Sequence, residues 1–405
     1  MAPAGSYESL AAAVQAGANS VYFGVEKLNM RARSSANFTL ADLEQIVKIC
    51  RENGMESYLT LNTILFDSEM DAMRSIVLAA KAAGIIAVIA SDQSVISFAR
   101  EAGVEVHIST QLNVSNLETL KFYAKFADVI VLARELNLDQ VKHIHEQIAA
   151  QDIRGPRGNP IKIEMFCHGA LCVATSGKCY MSLHENGFSA NRGACLQICR
   201  RSYLATEKET GSELEIDHEY IMSPKDLCTI GFLDKMLDAG VRVFKVEGRA
   251  RSAEYVKKVC QCYNEALEAI LEGSYSKERI DKWIYELSTV FNRGFWDGYY
   301  LGRRLGEWSK AYGSKAIRRK IYAAKATNYF ANLNVAEFMV EAGSIKTGDE
   351  VLIIGPTTGV MELRVSQLRV GNGTVVQQVS KGELFSMPVD GKVRRADKLY
   401  LWKKQ

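Results

Sequence analysis

The sequence predicts an α/β protein: a (β/α)8-type barrel interrupted by a cysteine-rich insertion and followed by a small all-β barrel. Three observations predict it. Short β-branched runs alternate with helical patterns through the first half at a spacing of ~20–30 residues, the repeat of strand–helix units. About seventy residues then separate two of those runs, more than one crossover helix requires, and they hold a cluster of cysteines. From Lys320 onward the apolar pattern switches to a period of two, with turn signals at Gly343, Gly348, Gly355, Gly371, Gly373 and Pro388.

The expected strands are 20–25, 57–62, 85–91, 105–110, 128–134, 162–169 and 241–248, near-continuous apolar runs suited to burial on both faces. Between them, 40–52 reads as a helix opened by Thr39, and 70–83 as one closed by Gly84. Further helices are expected from Val256 to about Glu272 and over 276–290, then an aromatic, glycine-rich connector over 292–300. An eighth strand would lie at the N-terminus, where A-P-A-G-S reads as the loop after a strand that is mostly missing. The domains are therefore 1–315, with the insertion at about 170–230, and 316–405. A doubly wound open sheet is the alternative. Either way the strand C-termini gather on one side, where active sites of such folds lie. Asn62, Ser91, Thr110, Gln111, Arg134, His168, Glu247 and Arg249 fall there.

With 47% hydrophobic and 24% charged residues and 6 prolines in 405, the chain can bury a large core, which excludes a disordered or collagenous protein. Its net charge of +3 is unevenly spread. Residues 315–405 carry 15 Lys and Arg against 8 Asp and Glu, so the first 314 residues are net −4. Basic positions such as Arg364, Arg369, Lys392, Arg394, Arg395 and Lys398 could meet phosphates, or be ordinary solvated side chains. No apolar run reaches the ~18–20 residues of a membrane span, and M-A-P-A-G-S lacks a secretory layout. A cytoplasmic protein without membrane contact is expected.

Nine cysteines, an odd number in a reducing compartment, point to a metal or cluster rather than to disulfides. Cys172, Cys179, Cys195 and Cys199 crowd into 28 residues and can supply the four thiolates of a [4Fe–4S] cluster or a tetrahedral zinc. The wide first spacing leans toward the cluster. Cys228 competes as fourth ligand, while Cys50, Cys167, Cys260 and Cys262 read as packing residues. Glu164 and His168 alternate onto one strand face and are candidates for acid–base work in the mouth, or else a paired carboxylate and a satisfied histidine. Lys245, Glu247 and Arg249 share a face in the last strand and suit a carboxylate or phosphate, joined by Arg31, Arg33 and Arg134. Asn62 and Gln111 can bond a base edge or hydroxyl. Phe295, Trp296, Tyr299 and Tyr300 suit a domain junction better than base stacking.

Several stretches carry a resemblance: E-M-F-C-H-G-A-L-C-V-A-T-S-G-K-C-Y-M-S (164–182), N-R-G-A-C-L-Q-I-C-R (191–200), S-P-K-D-L (223–227), K-V-E-G-R-A-R-S-A-E-Y-V (245–256) and F-N-R-G-F (291–295). In order and content they resemble the peptidase U32 family over essentially the whole chain, and within it the prephenate-dependent tRNA uridine hydroxylases. Relatives begin with a longer E-L-L-A-P-A-G, which puts barrel closure in question here. The resemblance implies hydroxylation of a wobble uridine to 5-hydroxyuridine, with the anticodon loop of tRNA as partner and prephenate as co-substrate. It further implies an electron donor and a [4Fe–4S] cluster on Cys172, Cys179, Cys195 and Cys199. Other members named as collagenase-like proteases, or acting on ribosomal RNA or quinones, keep those activities as alternatives. A peptidase needs an activated nucleophile or metal-bound water, and the sequence has neither H-E-x-x-H nor G-x-S-x-G. A non-catalytic scaffold is the third class.

Overall fold

The computed structural model describes all residues except 34–36, 202, 217–221, 304–305 and 310–312. Seven strands lie side by side in chain order, each parallel to the next: β1 (Ala2–Pro3), β2 (Ser20–Phe23), β3 (Glu56–Leu61), β4 (Ala87–Ala90), β5 (Glu105–Ile108), β6 (Val129–Val131) and β7 (Lys162–Ala170). The helices α1 (Tyr7–Gln15), α2 (Leu43–Glu52), α3 (Met70–Ala83), α4 (Gln93–Glu101), α5 (Leu117–Ala124) and α6 (Leu138–Ala150) connect them.

Local chemistry sets these boundaries. Ser6, Asp92, Asn116 and Asn137 each accept a hydrogen bond from a backbone N–H in the first turn that follows. Gly84 ends α3 with φ at 83°, a conformation open to glycine. The segment read as one helix over 40–52 instead opens with a tighter turn, because the Asp42 carboxylate folds back onto the Thr39 N–H at 2.7 Å. Most strands stop short of their apolar pattern at the C-terminal end. Asn62, Ser91, Thr110 and Arg134 lie beyond the pairing and free their side chains for other partners.

The long insertion contains α7 (Met181–Asn186), a hairpin of β8 (Tyr203–Thr206) and β9 (Glu213–Ile216), β10 (Asp226–Cys228) and α8 (Leu233–Asp238). β11 (Val241–Val246) then pairs parallel with β7. Unlike the expected excursion, part of the insertion returns to the main sheet: β10 runs antiparallel to the end of β7, and β12 (Phe295–Trp296) adds to β10. Two helices, α9 (Ala253–Leu271) and α10 (Lys277–Ser288), separate β11 from β12. The first strand, expected to be mostly absent, is present as two residues. Its neighbour Met1 donates from its amino group to Phe244 O at 2.7 Å and accepts from Val246 N–H at 3.1 Å, so the first and last parallel strands meet.

Side chains along these strands alternate between two buried layers. Val21, Phe23, Leu59 and Val88 face the main apolar core, while Tyr22, Tyr58, Ala87 and Ile89 form a separate inner cluster. The C-terminal residues build an eight-stranded antiparallel sheet: β17 (Gly359–Arg364), β16 (Glu350–Gly355), β22 (Lys398–Lys404), β13 (Arg318–Phe330), β14 (Val335–Val340), β21 (Leu384–Pro388), β18 (Leu368–Val370) and β19 (Thr374–Val376) in spatial order. A short pair, β15 (Ser344–Lys346) with β20 (Gln378–Ser380), lies beside it. This sheet has its own core around Phe338 and Phe385. It is tied to α1 through Gln15, whose amide donates to Thr358 O at 2.8 Å and accepts from Val360 N–H at 2.9 Å. No helix among the described residues is long and apolar enough to cross a membrane.

Gly169 sits where β7 changes partner, with φ at 107° and a hypothetical Cβ only 2.4 Å from Glu247 O. Gly169→Ala is expected to destabilise the protein by about 2 kcal/mol or more, measured by urea denaturation. A change within experimental error would show that this junction is not constrained.

Candidate functional site at the strand ends

A cavity of about 210 Å³ opens at the C-terminal ends of the parallel strands. Of the residues expected there, Arg31, Asn62, Gln111, Arg134, Lys245, Glu247, Arg249, Cys172, Cys179, Cys195 and Cys199 all line it. Arg33, Glu164 and His168 do not.

The cationic wall is held from below by β2, β3 and β11. Arg249 is 5% exposed and donates from Nη1 to Asn29 Oδ1 at 3.0 Å and Thr60 Oγ1 at 2.8 Å, both neutral partners. Burial lowers its guanidinium to about 10. Gly24 makes this approach possible, since a Cβ there would lie 2.5 Å from Arg249 Nη1. Asn29 also ties the loop carrying Arg31, its Nδ2 donating to Val25 O at 3.1 Å. Arg31 Nη2 then reaches Glu247 Oε1 at 2.5 Å. Burial alone would raise the Glu247 carboxyl, but the guanidinium of Arg31, helped by Arg249 and Arg134, outweighs it and holds the group at about 2. On the far side, Arg134 donates to Ser176 Oγ at 2.8 Å and lies over the Phe166 ring.

Beneath this wall is a buried ion pair, Lys245 Nζ to Glu164 Oε1 at 2.7 Å, with the ammonium also over the rings of Tyr22 and Phe166. Glu164 Oε2 has no hydrogen-bond partner. The expected meeting of Glu164 with His168 does not occur. The pairing of β11 with β7 is irregular between Lys245 and Val246, which face Phe166 and His168, and this breaks the even alternation on which that expectation rested. His168 packs instead among Tyr255, Tyr263 and Phe295. Burial, with the Arg251 charge nearby, lowers its imidazole to about 3 and keeps it neutral. Arg33 likewise turns away, over the Phe188 ring at 4.5 Å.

The four clustered thiols are free and face the same cavity. Burial pushes Cys199 up to about 11; Arg200 opposes this, while Cys172, Cys195 and Cys179 add to it, so the four act on one another electrostatically. Arg31 acts on Cys195 in turn. Among the described residues no three His, Cys, Asp or Glu side chains are close enough to share one metal ion. Cys228 is absent from the cavity lining and lies on β10, its sulfur 3.9 Å from the Tyr263 hydroxyl. The third wall is neutral. Asn62 Nδ2 donates to Ser109 Oγ at 3.4 Å, whereas Thr110 Oγ1, Gln111 Oε1 and Asn191 Oδ1 are buried without partners.

Sequence reasoning missed Tyr22, Arg200, Arg251 and Arg293 on the lining. All three arginines sit in stretches that were read for their neighbours: C-R, G-R-A-R and N-R-G-F. The aromatic connector, expected at a domain junction, makes its hydrogen bonds within the first domain, Tyr300 donating to Phe166 O at 2.9 Å and Trp296 to Lys225 O at 3.0 Å.

The model of peptidase family U32 matches residues 5–310. The chain belongs to this family. This U32 protein is 60% identical over 405 residues to a Porphyromonas gingivalis protein named "Collagenase", covering 100% of this chain and 98% of that one. It is 30% identical over 364 residues to the Bacillus subtilis "tRNA hydroxylation protein P1", covering 88% and 83%. It is 35% identical over 302 residues to an Escherichia coli 23S rRNA 5-hydroxycytidine synthase, covering 73% of this chain and 44% of that protein.

Two stability measurements follow from the U32 site. Removing one member of the Lys245–Glu164 pair strands a buried charge, so Glu164→Leu or Lys245→Met alone should cost about 3–5 kcal/mol, and the double variant much less than their sum. Additive losses in a double-mutant cycle would mean that the two do not interact. The Glu247 carboxyl is depressed in the folded state, so its contribution is fully present above its unfolded value of 4.5 and is lost as pH falls toward about 2. Wild type should therefore lose up to about 3 kcal/mol more than Glu247→Gln across that window. Parallel stability–pH curves would refute this.

Proposed function

We propose that this U32 protein is an RNA-modifying enzyme that hydroxylates a pyrimidine, with a wobble uridine of tRNA becoming 5-hydroxyuridine. Its catalytic centre would be the mouth of a (β/α)8-type barrel closed through Met1, with residues 316–405 as an RNA-contacting domain. One observation carries the reading: four thiols and a surplus of guanidinium groups face a single small cavity. The names of the Bacillus and Escherichia relatives support it.

The donor set suits a [4Fe–4S] cluster on Cys172, Cys179, Cys195 and Cys199. Four thiols on one cavity lining are the donor type and number that such a cluster takes. When bound, such a cluster supplies one-electron chemistry. The rest is the work of side chains. Arg249, whose partners are neutral oxygens, suits a carboxylate such as those of prephenate, with Arg31 and Lys245 already paired beside it. Gln111 Oε1 and Asn191 Oδ1, acceptors without donors, suit the N–H edge of a pyrimidine. Glu247 is the carboxylate on the lining, held ionised by Arg31, and orients that guanidinium. Glu164 acts through Lys245 as a positioning residue, and His168 serves packing. An anticodon loop offers an unpaired base that can enter the cavity without opening a duplex. A cytoplasmic location and a separate electron donor accompany this reading.

A peptidase is the second reading, favoured by the name of the Porphyromonas relative. It lacks support from the side chains: among the described residues no histidine is on the cavity lining beside the thiols, and His168 packs among aromatic rings instead.

Anaerobically purified protein should be brown and contain about four irons per chain, and Cys179→Ala should lose the colour. Nucleosides from tRNA of a deletion strain should lack 5-hydroxyuridine derivatives by mass spectrometry, restored by wild type and not by Cys179→Ala. Unchanged nucleosides would sink the RNA assignment, and colourless zinc-containing protein the redox one.

A further inference from the structure

Three arginines on the cavity lining act on one another's charge, Arg200 and Arg293 lying within the field of Cys199 and Arg251 within that of Glu247. Arg200 follows Cys199, Arg251 follows β11, and Arg293 precedes β12, so three separate segments bring their guanidinium groups onto one wall. Charge on this wall is poorly balanced. Asp226 acts on all three, yet among the described residues it forms an ion pair only with Arg293, Nη1 to Oδ1 at 3.4 Å. Arg200 bonds neutral atoms: Ser223 Oγ at 2.8 Å, Leu171 O at 2.9 Å and Pro224 O at 3.5 Å. Arg251 lies over the Phe291 ring at 3.6 Å, and among the described residues its guanidinium makes no hydrogen bond. Glu247 also attracts Arg251, but it is already engaged by Arg31. Cations packed this closely in a partly desolvated wall call for an anion.

We propose that Arg200, Arg251 and Arg293 form a phosphate clamp that holds the backbone of the nucleotide being modified. The inference rests on the RNA reading above and adds the group that positions the substrate. A carboxylate has two oxygens and is satisfied by one guanidinium fork. A phosphodiester also has two non-bridging oxygens, but ester and 2′-hydroxyl oxygens flank it and another phosphate follows one nucleotide on, so an RNA backbone can engage guanidinium groups arriving from three segments. Depth points the same way. Arg249 at the floor is almost fully buried and Arg293 is 9% exposed, whereas Arg200 and Arg251 are half-buried. A nucleotide entering base-first would keep its phosphate at that outer level.

The test uses the full chain, cluster-free and anaerobically loaded, with a fluorescent anticodon stem–loop RNA titrated at several salt concentrations. Arg251→Gln is the primary variant, because it leaves the Arg293–Asp226 pair intact; Arg251→Lys keeps the charge without the fork. Arg251→Gln should weaken binding about tenfold and make the salt slope shallower by about one, in both forms of the protein, with an unchanged melting curve. Arg251→Lys should fall between. Uridine 5′-monophosphate should compete better than uridine against wild type and lose that advantage in Arg251→Gln. Unchanged affinity and slope in the variant, while wild type binds RNA, would overturn the clamp and leave the RNA reading standing. Loss of iron or of prephenate binding with RNA affinity intact would also overturn it, reassigning the charge to the cluster or to a carboxylate. A wild type that binds no RNA would remove both.

Discussion

The pairing of β11 with β7 is the constraint from which the rest of the site follows. The register sets Lys245 opposite Phe166, two residues along β7 from Glu164, so that the ammonium reaches the Glu164 carboxylate and lies over the rings of Tyr22 and Phe166. Where the register slips, His168 is thrown to the other side and the chain beyond β11 crosses toward β2. Glu247 then meets Arg31, and Arg249 meets Asn29 and Thr60. Gly169 marks the same spot on β7, pressed against Glu247 O. Shifting that pairing by one residue would exchange the buried layers and dismantle both ion pairs.

Charge is arranged in depth. The lowest pair, Lys245 with Glu164, is nearly dry and closed on itself. Above it Arg249 is buried against neutral oxygens, and Arg31 is neutralised by Glu247. The outer wall keeps an excess of guanidinium beside the thiols. A gradient of this kind admits an anion without trapping it at the floor, and it places positive charge next to sulfurs that must ionise to bind a metal. The neutral acceptors of Thr110, Gln111 and Asn191 give the same lining a second chemical character, a condition for orienting an asymmetric ligand.

The family shared with proteins named for proteolysis and for RNA hydroxylation illustrates that a fold does not fix a chemistry. What separates the readings here is the character of individual groups. A nucleophile would require a thiol or hydroxyl beside a base that can accept its proton. The buried, neutral His168 faces aromatic rings, and the cavity wall offers cations and thiols instead.

The sequence by itself determined the alternation of strands and helices, the stop of α3 at Gly84, the β-rich C-terminal region and eleven of the predicted site residues on the cavity lining. These were legible because they depend on short-range rules: apolar period, a glycine helix stop, and polar residues at the C-terminal ends of strands. It misjudged Glu164 with His168 because a local irregularity reverses the facing of a side chain, and period-two reasoning has no term for that. It passed over Arg200, Arg251 and Arg293 because each is unremarkable among its neighbours. Only the tertiary structure, by bringing segments 51 and 42 residues apart onto one cavity lining, made their shared and unbalanced charge visible; electrostatic energy depends on distance in space, which the order of residues along a chain does not encode.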